Sequence, residues 1–309
     1  MRLIKPSIEI LEQGSGIQGI YKQIEKAGRT CYKSENLITE DSAEKFVNMI
    51  KDRQHTAMLE HGTVYLETEN PRVYYKYVNK QYSKVNIIKY TKTGSDIITP
   101  QNPLYERGHV TTNYRVLYEN NWLDDLKYLC EPTEYHEKRI TVKFICDRGV
   151  SHEFVRHRVF SFAQESTRYC NYSKDKFGKE LTFIIPCWLD IPEGQSYWYD
   201  GLGYRVGADI HNQNFGHIKK SSNYNSFLSA LENAEKLYLH LLNEGWTPQQ
   251  ARSVLPNSLK TELVMTGTIE QWKEFFKLRS PLYGATGAHP QAAELADKLY
   301  IQFKEKNYI

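Results

Sequence analysis

Three features of the sequence predict an α/β (α+β) fold. β-branched and aromatic runs at residues 63–67 and 140–145 read as strands. An apolar stripe of helical period covers residues 226–243. Helix-start signals recur at Asp41, Thr247, Thr268 and Pro290, so strands and helices interleave along the chain, with no internal repeat.

Taken in order, Asp41 with Glu44 forms a capping-box pattern before Phe46, Val47 and Ile50, which share a helical face. Val64 and Leu66 then alternate with Thr63, Tyr65 and Glu67, the period of a strand. From about 70 to 138 the texture changes. The stretch is rich in Tyr, Asn, Lys and Thr, is broken by Pro71, Pro100 and Pro103, and shows little sustained periodicity. It is expected to be an insertion of moderate order, with helical patches at 72–78 and 123–129. Residues 140–145 follow as a buried strand, broken by Asp147, Arg148 and Gly149. A helix starting near Ser151 is expected to carry Glu153, Phe154, Arg156 and His157. A second irregular stretch, 192–222, holds Gly194, Gly201, Gly203, Gly207 and Gly216.

The clearest helix, 226–243, lines up Phe227, Leu228, Leu231, Ala234, Leu237, Tyr238, Leu241 and Leu242, with Gly245 at the expected stop. Thr247-Pro248-Gln249-Gln250 starts another, with an N-cap, a proline in the first turn and Gln at the third position, and Pro256 ends it. Thr268 with Gln271 repeats the signal before Trp272, Phe275 and Phe276, and a last helix follows Pro290.

Bulk properties narrow the class. The 309 residues suit one large domain or two small ones, and 40% hydrophobic with 25% charged residues is a globular balance. Lys plus Arg exceed Asp plus Glu by three (40 against 37), too little to mark a nucleic-acid binder. The 23 tyrosines can stack on rings, but they equally fill cores. Five dispersed cysteines with no Cys-x-x-Cys pair suit a reducing compartment. No apolar run approaches the ~18 residues of a membrane span. Glu9 and Glu12 stand where a signal peptide would have its apolar core, so a cytoplasmic protein is expected.

The densest chemical signal runs from Arg156 to Tyr169. Three arginines and a histidine fall among hydroxyls and aromatics, in the order Arg156-His157-Arg158, Ser161, Gln164, Ser166, Arg168, Tyr169. Guanidinium forks match phosphate oxygens, and hydroxyls add donors. A solvated basic face is the plainer alternative. Phe154, Val155, Val159, Phe160 and Phe162 argue against it, because arginines held among apolar side chains need acceptors.

This stretch resembles the signature of the flavin-dependent thymidylate synthases: Arg-His-Arg, seven residues, then Ser, with Arg and Tyr following. Ser161 also matches. Ala163 and Gln164 stand where the family usually has Asn and often Glu. Three further blocks match in order. Gln54 to His61 is similar to the family's His-x4-Glu-His block. Ala251-Arg252-Ser253-Val254-Leu255-Pro256 is similar to its Ala-Arg-x-x-Leu-Pro segment. Leu278-Arg279, with His289 and Gln291 beyond, is similar to its C-terminal segment. Thr268, Glu270 and Glu274 depart from flavin-contacting Asn and Arg positions. The resemblance covers about 15–69, 139–190 and 223–300, and leaves the insertions at about 70–138 and 192–222 unexplained.

The resemblance implies a single domain over residues 1–309, with a mixed or antiparallel sheet flanked by helices. It implies a homotetramer whose sites are shared between subunits, and conversion of dUMP to dTMP with FAD, NADPH and 5,10-methylenetetrahydrofolate. Carried over by position, Arg279 and Ser166 are catalytic. Glu153, Arg156, Gln164, Ser166, Arg168, Arg252 and Arg279 hold dUMP. His55, Ala57, Arg156, His157, Arg158 and Gln164 contact FAD. No metal, nucleic acid or membrane is implied.

Taken without the resemblance, Arg252 and Arg279 read as cations at helix C-termini. His55, Glu60 and His61 could form a metal group, but His-x5-His is not the i, i+4 spacing of two ligands on one helix face. A single-strand nucleic-acid binder using the basic-aromatic run is a further class.

Overall fold

Residues 260–268 are rich in β-branched and apolar side chains and form the strand Lys260–Thr268, buried along almost its whole length. It pairs antiparallel on both sides. Arg139–Asp147 lies along one side, with Lys260 opposite Asp147 and Thr268 opposite Arg139. Ser161–Gln164 lies along the other, with Leu263 opposite Gln164 and Thr266 opposite Ser161. Ser7–Leu11 completes this four-stranded sheet beyond Arg139–Asp147. The computed structural model describes the whole chain except residues 95–97, 193–194, 200, 202–203, 208–215 and 218–221.

Both faces of the sheet are covered, so Ile140, Val142 and Phe144 are buried on one face and Thr141 on the other. On one face Val142, Phe144, Leu263 and Met265 pack under the helices Ile269–Arg279 and Pro290–Glu305, through Trp272, Phe275, Phe276, Leu299 and Phe303. On the other, Leu11, Ala163 and Val264 meet Ala27 of the helix Gly16–Tyr32. The expected caps are realised unequally. Thr268 and Gln271 form a reciprocal capping box, at 2.8 and 3.3 Å. Thr247 N donates to Gln250 Oε1 at 2.9 Å, but the helix there is only Pro248–Ala251 before a tighter turn, Arg252–Val254. Asp41 precedes the helix Ser42–Asp52 without making a side-chain cap.

The segment 70–138 differs from expectation. It holds a β-hairpin of Lys84–Thr91 and Leu104–Asn113 that pairs with Thr63–Thr68 as a second, antiparallel sheet. The helical patches are there, as Pro71–Tyr74 with Tyr75–Tyr77 and as Leu123–Tyr128. Its core joins Tyr74, Tyr77, Val110, Tyr114 and Leu117 to Ile20, Ile24, Phe46 and Val47 of the first two helices. Patterning missed the hairpin because the buried half of its second strand is polar, with Thr111, Thr112 and Asn113 all inside. The stretch 192–222 also carries strands, Gln195–Tyr199, Tyr204–Gly207 and Gly216–His217. They extend a third sheet in which Arg2–Ile4 pairs parallel with Thr182–Ile184. The helix beside it is Ser222–Asn243, and Gly245 follows with a left-handed φ of 90°.

The hairpin docks through Gly108, where a Cβ would come within 2.3 Å of the Tyr74 ring. Gly108→Val is therefore expected to lower stability by roughly 1–3 kcal/mol through overpacking. Urea denaturation measures this, and an unchanged midpoint would mean that the hairpin is not packed on the body.

Candidate active site

Asp147 ends its strand and caps the next helix, Arg148–Phe154. Its Oδ1 accepts from Val150 N at 2.8 Å, and its Oδ2 accepts from Gln291 Nε2 at 2.7 Å, tying this helix to the start of the last one. The helix begins and ends earlier than expected. Phe154 is buried between Phe144 and Phe275, with ring centroids 5.0 and 5.1 Å away. A continuing helix would set Arg158 on the face of Phe154, inside the core. The chain instead turns through residues 155–160, which leaves Arg156 and Arg158 exposed and buries Phe160.

Arg279 is the last residue of Ile269–Arg279, a helix anchored by Trp272, Phe275 and Phe276. Its guanidinium reaches across to the turn. Nη1 pairs with Glu153 Oε2 at 2.5 Å, Nη2 donates to the Glu153 carbonyl at 3.2 Å, and Nε donates to His157 Nε2 at 3.3 Å. Accepting that bond puts the His157 proton on Nδ1. Burial, and then the Arg279 charge, push the His157 imidazole down to about 4, so it is neutral at neutral pH.

Gln164 bonds inward: its Nε2 donates to Ser151 Oγ at 2.8 Å and to Thr261 Oγ1 at 3.2 Å. Ala163, at the position usually held by Asn, is packed among Leu11, Ala27 and Val264, so no amide is missed there. Ser166 N donates to the Cys31 carbonyl at 3.0 Å, and Arg168 N donates to Ser166 Oγ at 3.3 Å. The Arg168 guanidinium lies 5.5 Å from the Tyr169 ring centre. Tyr169 meets Tyr32 at 5.6 Å, and the Tyr32 hydroxyl is 2.8 Å from His55 Nδ1. Ala57 is exposed on the turn Thr56–His61 that follows. Tyr32 thus joins the 54–61 block to the motif, a contact that no pattern in the sequence signalled. Arg252 Nη1 donates to Thr167 Oγ1 at 3.4 Å.

The candidate metal group does not assemble. His55 is exposed beside Tyr32. Glu60 pairs with Arg115 at 2.5 Å. His61 is buried, with Nδ1 2.8 Å from Thr266 Oγ1. Burial, and then Arg139, hold His61 down to about 3. Among the described residues no group of three potential ligands could hold a metal, and no helix is long and apolar enough to cross a membrane.

Charge is partitioned. On the sheet face toward the first helix, Glu262 is ringed by Lys260, Lys33 and Lys143, and Glu165 pairs with Lys260. Burial works to raise Glu262, but the three lysines outweigh it and hold the carboxyl at about 2. Arg156, Arg158, Arg168 and Arg252, in contrast, have no ion pair among the described residues. Strand register separates them. Gln164 and Ser166 lie at the Asp147 end of the sheet, to which the helix ending in Arg279 returns. Arg158 precedes Ser161 at the Thr268 end, a strand length of roughly 10 Å away.

An α+β chain whose edge arginines form no ion pair among the described residues is the class that this geometry defines. The family model described as Thymidylate synthase complementing protein matches residues 129–307, more than half of the chain, and the chain belongs to that family. It is 26% identical over 205 residues to a flavin-dependent thymidylate synthase of Pyrococcus furiosus, covering 63% of this chain and 70% of that one. It is 30% identical over 159 residues to a flavin-dependent thymidylate synthase of Corynebacterium efficiens, covering 50% and 54%. The chain thus matches more than two thirds of the first relative's length and about half of the second's. A looser overlap, with a TM-score of 0.42 at 16% identity over 99% of this chain and 93% of the other, is found with a UMP/dUMP methylase PolB from Streptomyces cacaoi.

Burial lowers four histidines, His61, His109, His136 and His157, and the two lowered furthest, His157 and His61, set the pH dependence. Each would protonate near 6.5 when unfolded but stays neutral in the fold to about 4 (His157) or about 3 (His61). The unfolded chain therefore binds more protons in that window. Stability is full above about 6.5 and falls as pH falls toward 4. Glu262, held at about 2, gives up its own contribution only below its ordinary value of 4.5. Unfolding free energy measured from pH 7 to 4.5 should decline, and the decline should be shallower in His157→Asn. Identical slopes would mean that His157 titrates normally.

Proposed function

We propose that this chain catalyses the reductive methylation of dUMP to dTMP, with FAD as bound cofactor and with NADPH and 5,10-methylenetetrahydrofolate as co-substrates. It does so as a single-domain subunit of a cytoplasmic homotetramer. The observation that carries this reading is the set of unneutralised arginines around Ser166, set beside one arginine, Arg279, that is held rigidly. Phosphorylated ligands supply the anions such a set needs.

The thiols speak for a route without a covalent cysteine. Burial pushes the Cys31 and Cys130 thiols up to about 11 and that of Cys146 higher still, the opposite of an activated nucleophile. The arginines fit a flavin dinucleotide, whose diphosphate needs cations. When bound, reduced FAD would supply the hydride and the folate its one-carbon unit.

The protein's share is binding and electrostatics. Ser166 and Arg168, with Arg156 and Arg252, hold the substrate phosphate and sugar, while Arg158 and His157 lie toward the flavin. Gln164 spends its amide on Ser151 and Thr261, which leaves its carbonyl as an acceptor for the pyrimidine. Arg279 gives three of its five N–H donors to Glu153 and His157 and keeps two for a pyrimidine oxygen. Its charge favours the N3-deprotonated uracil, which raises electron density at C5. His157, being neutral, adds no competing positive charge.

Arg279→Lys keeps the charge but loses the planar fork. It is expected to bind FAD and be reduced by NADPH normally, yet to slow single-turnover dTMP formation at saturating dUMP by ~10- to 100-fold, the worth of a charge-assisted contact. Wild-type transfer at saturation would make Arg279 a binding residue only. The shared-site assembly has its own test. Light scattering should give the mass of four chains for the active, flavin-bound protein, whereas an active monomer would show that one chain holds the whole site.

A further inference from the structure

At the Thr268 end of the central sheet, a cavity of ≈ 160 Å³ lies between the extra hairpin and the arginine motif. Its lining includes Lys84, Arg139 and Arg158 and no carboxylate residue. Lys84 opens the strand Lys84–Thr91 and stands opposite Thr111 in the neighbouring strand. Thr111 is 1% exposed, and its hydroxyl has no hydrogen-bond partner among the described residues. A buried hydroxyl left unpaired costs free energy unless something else satisfies it.

Among the described residues no carboxylate bonds these cations directly, although the Glu60 and Glu137 charges act on Arg139. Arg139 donates to three neutral oxygens: the Glu60 carbonyl at 3.1 Å, Thr63 Oγ1 at 3.4 Å and Ser161 Oγ at 3.3 Å. Among the described residues neither Lys84 nor Arg158 forms an ion pair. Thr268 and Gln271, the N-cap and third residue of the eleven-residue helix Ile269–Arg279, close the cavity, so the positive end of that helix faces it as well. Lys84 and Arg158 are exposed and Arg139 is half-buried, so three like charges line a cleft that opens to solvent and attract an anion into it.

We propose that this cavity binds a phosphoryl group and that Lys84 and Thr111 of the extra hairpin are ligand-binding residues. Both residues lie on the hairpin at 84–113, outside the matched segment 129–307. The source of the phosphoryl group rests on the proposed function: it is either the diphosphate of the flavin or the extra phosphate that distinguishes NADPH from NADH.

Calorimetric titration of the folded chain with inorganic pyrophosphate tests the pocket itself. Wild type should bind, Lys84→Ala and Thr111→Val should each weaken binding by ~3- to 10-fold, and Lys89→Ala, on the same strand but outside the cavity, should not. Absence of binding, or equal affinity in all four proteins, overturns the proposal. Fluorescence titration with FAD and with riboflavin then identifies the source. If Lys84→Ala weakens FAD and spares riboflavin, the group is the flavin diphosphate. If FAD binding is unchanged while the preference for NADPH over NADH falls, the group is the nicotinamide's extra phosphate. A wild-type chain that binds pyrophosphate through Lys84 but holds no flavin would sink the proposed function and leave the pocket standing.

Discussion

The double antiparallel pairing of Lys260–Thr268 is the constraint on which the rest of the molecule depends. Its register sets Asp147 and Gln164 at one end of the sheet and Arg139 and Ser161 at the other. A slip of one residue would turn Leu263 and Met265 out of the aromatic core and move Glu262 away from its lysines. The Arg156–Arg158 turn spans the sheet edge between those ends, so register also sets the spacing between the two groups of arginines. Arg279 returns to the Asp147 end because its helix starts at Thr268 and its eleven residues rise about 16 Å.

Charge is handled in two ways in this fold. Glu262 and Glu165 are surrounded by lysines on a half-buried face, where a carboxylate without partners would be costly. The arginines of the motif sit at the edge, exposed and with no carboxylate partner among the described residues. Arg279 is intermediate: Glu153 and His157 fix its plane but do not use all its donors. A guanidinium held in that way is positioned before a ligand arrives, so little rotamer entropy remains to be lost on binding.

The segment before residue 129 is more than an appendage. Its hairpin shares a core with the helices Gly16–Tyr32 and Ser42–Asp52, and its two strands bring Thr111 and Lys84 up to the motif. Buried threonines in the inner strand are costly to leave unpaired. Ser83 and Thr112 satisfy each other at 2.8 Å, whereas the buried Thr111 hydroxyl has no partner among the described residues.

By itself the sequence determined the elements whose side chains repeat with a clear period or carry a local cap: the strand at 140–145, the helix at 226–243, and the Thr268–Gln271 box. It also determined the family, because the spacing from Arg156 to Tyr169 is a local property of the chain. Other features needed the tertiary structure. The helix carrying Glu153 stops at Phe154 because Phe154 and Phe160 enter one core, a competition that local propensity does not contain. The hairpin at 84–113 forms because its inner strand pairs with Thr63–Thr68 and its apolar side chains join the core of the first two helices, contacts distant in sequence. Arg279 meets Glu153, 126 residues away, and Tyr32 meets His55, because packing rather than pattern brings them together. Local periodicity reports how a residue relates to its near neighbours, and a site assembled from several strands and helices depends on separations that only the folded chain sets.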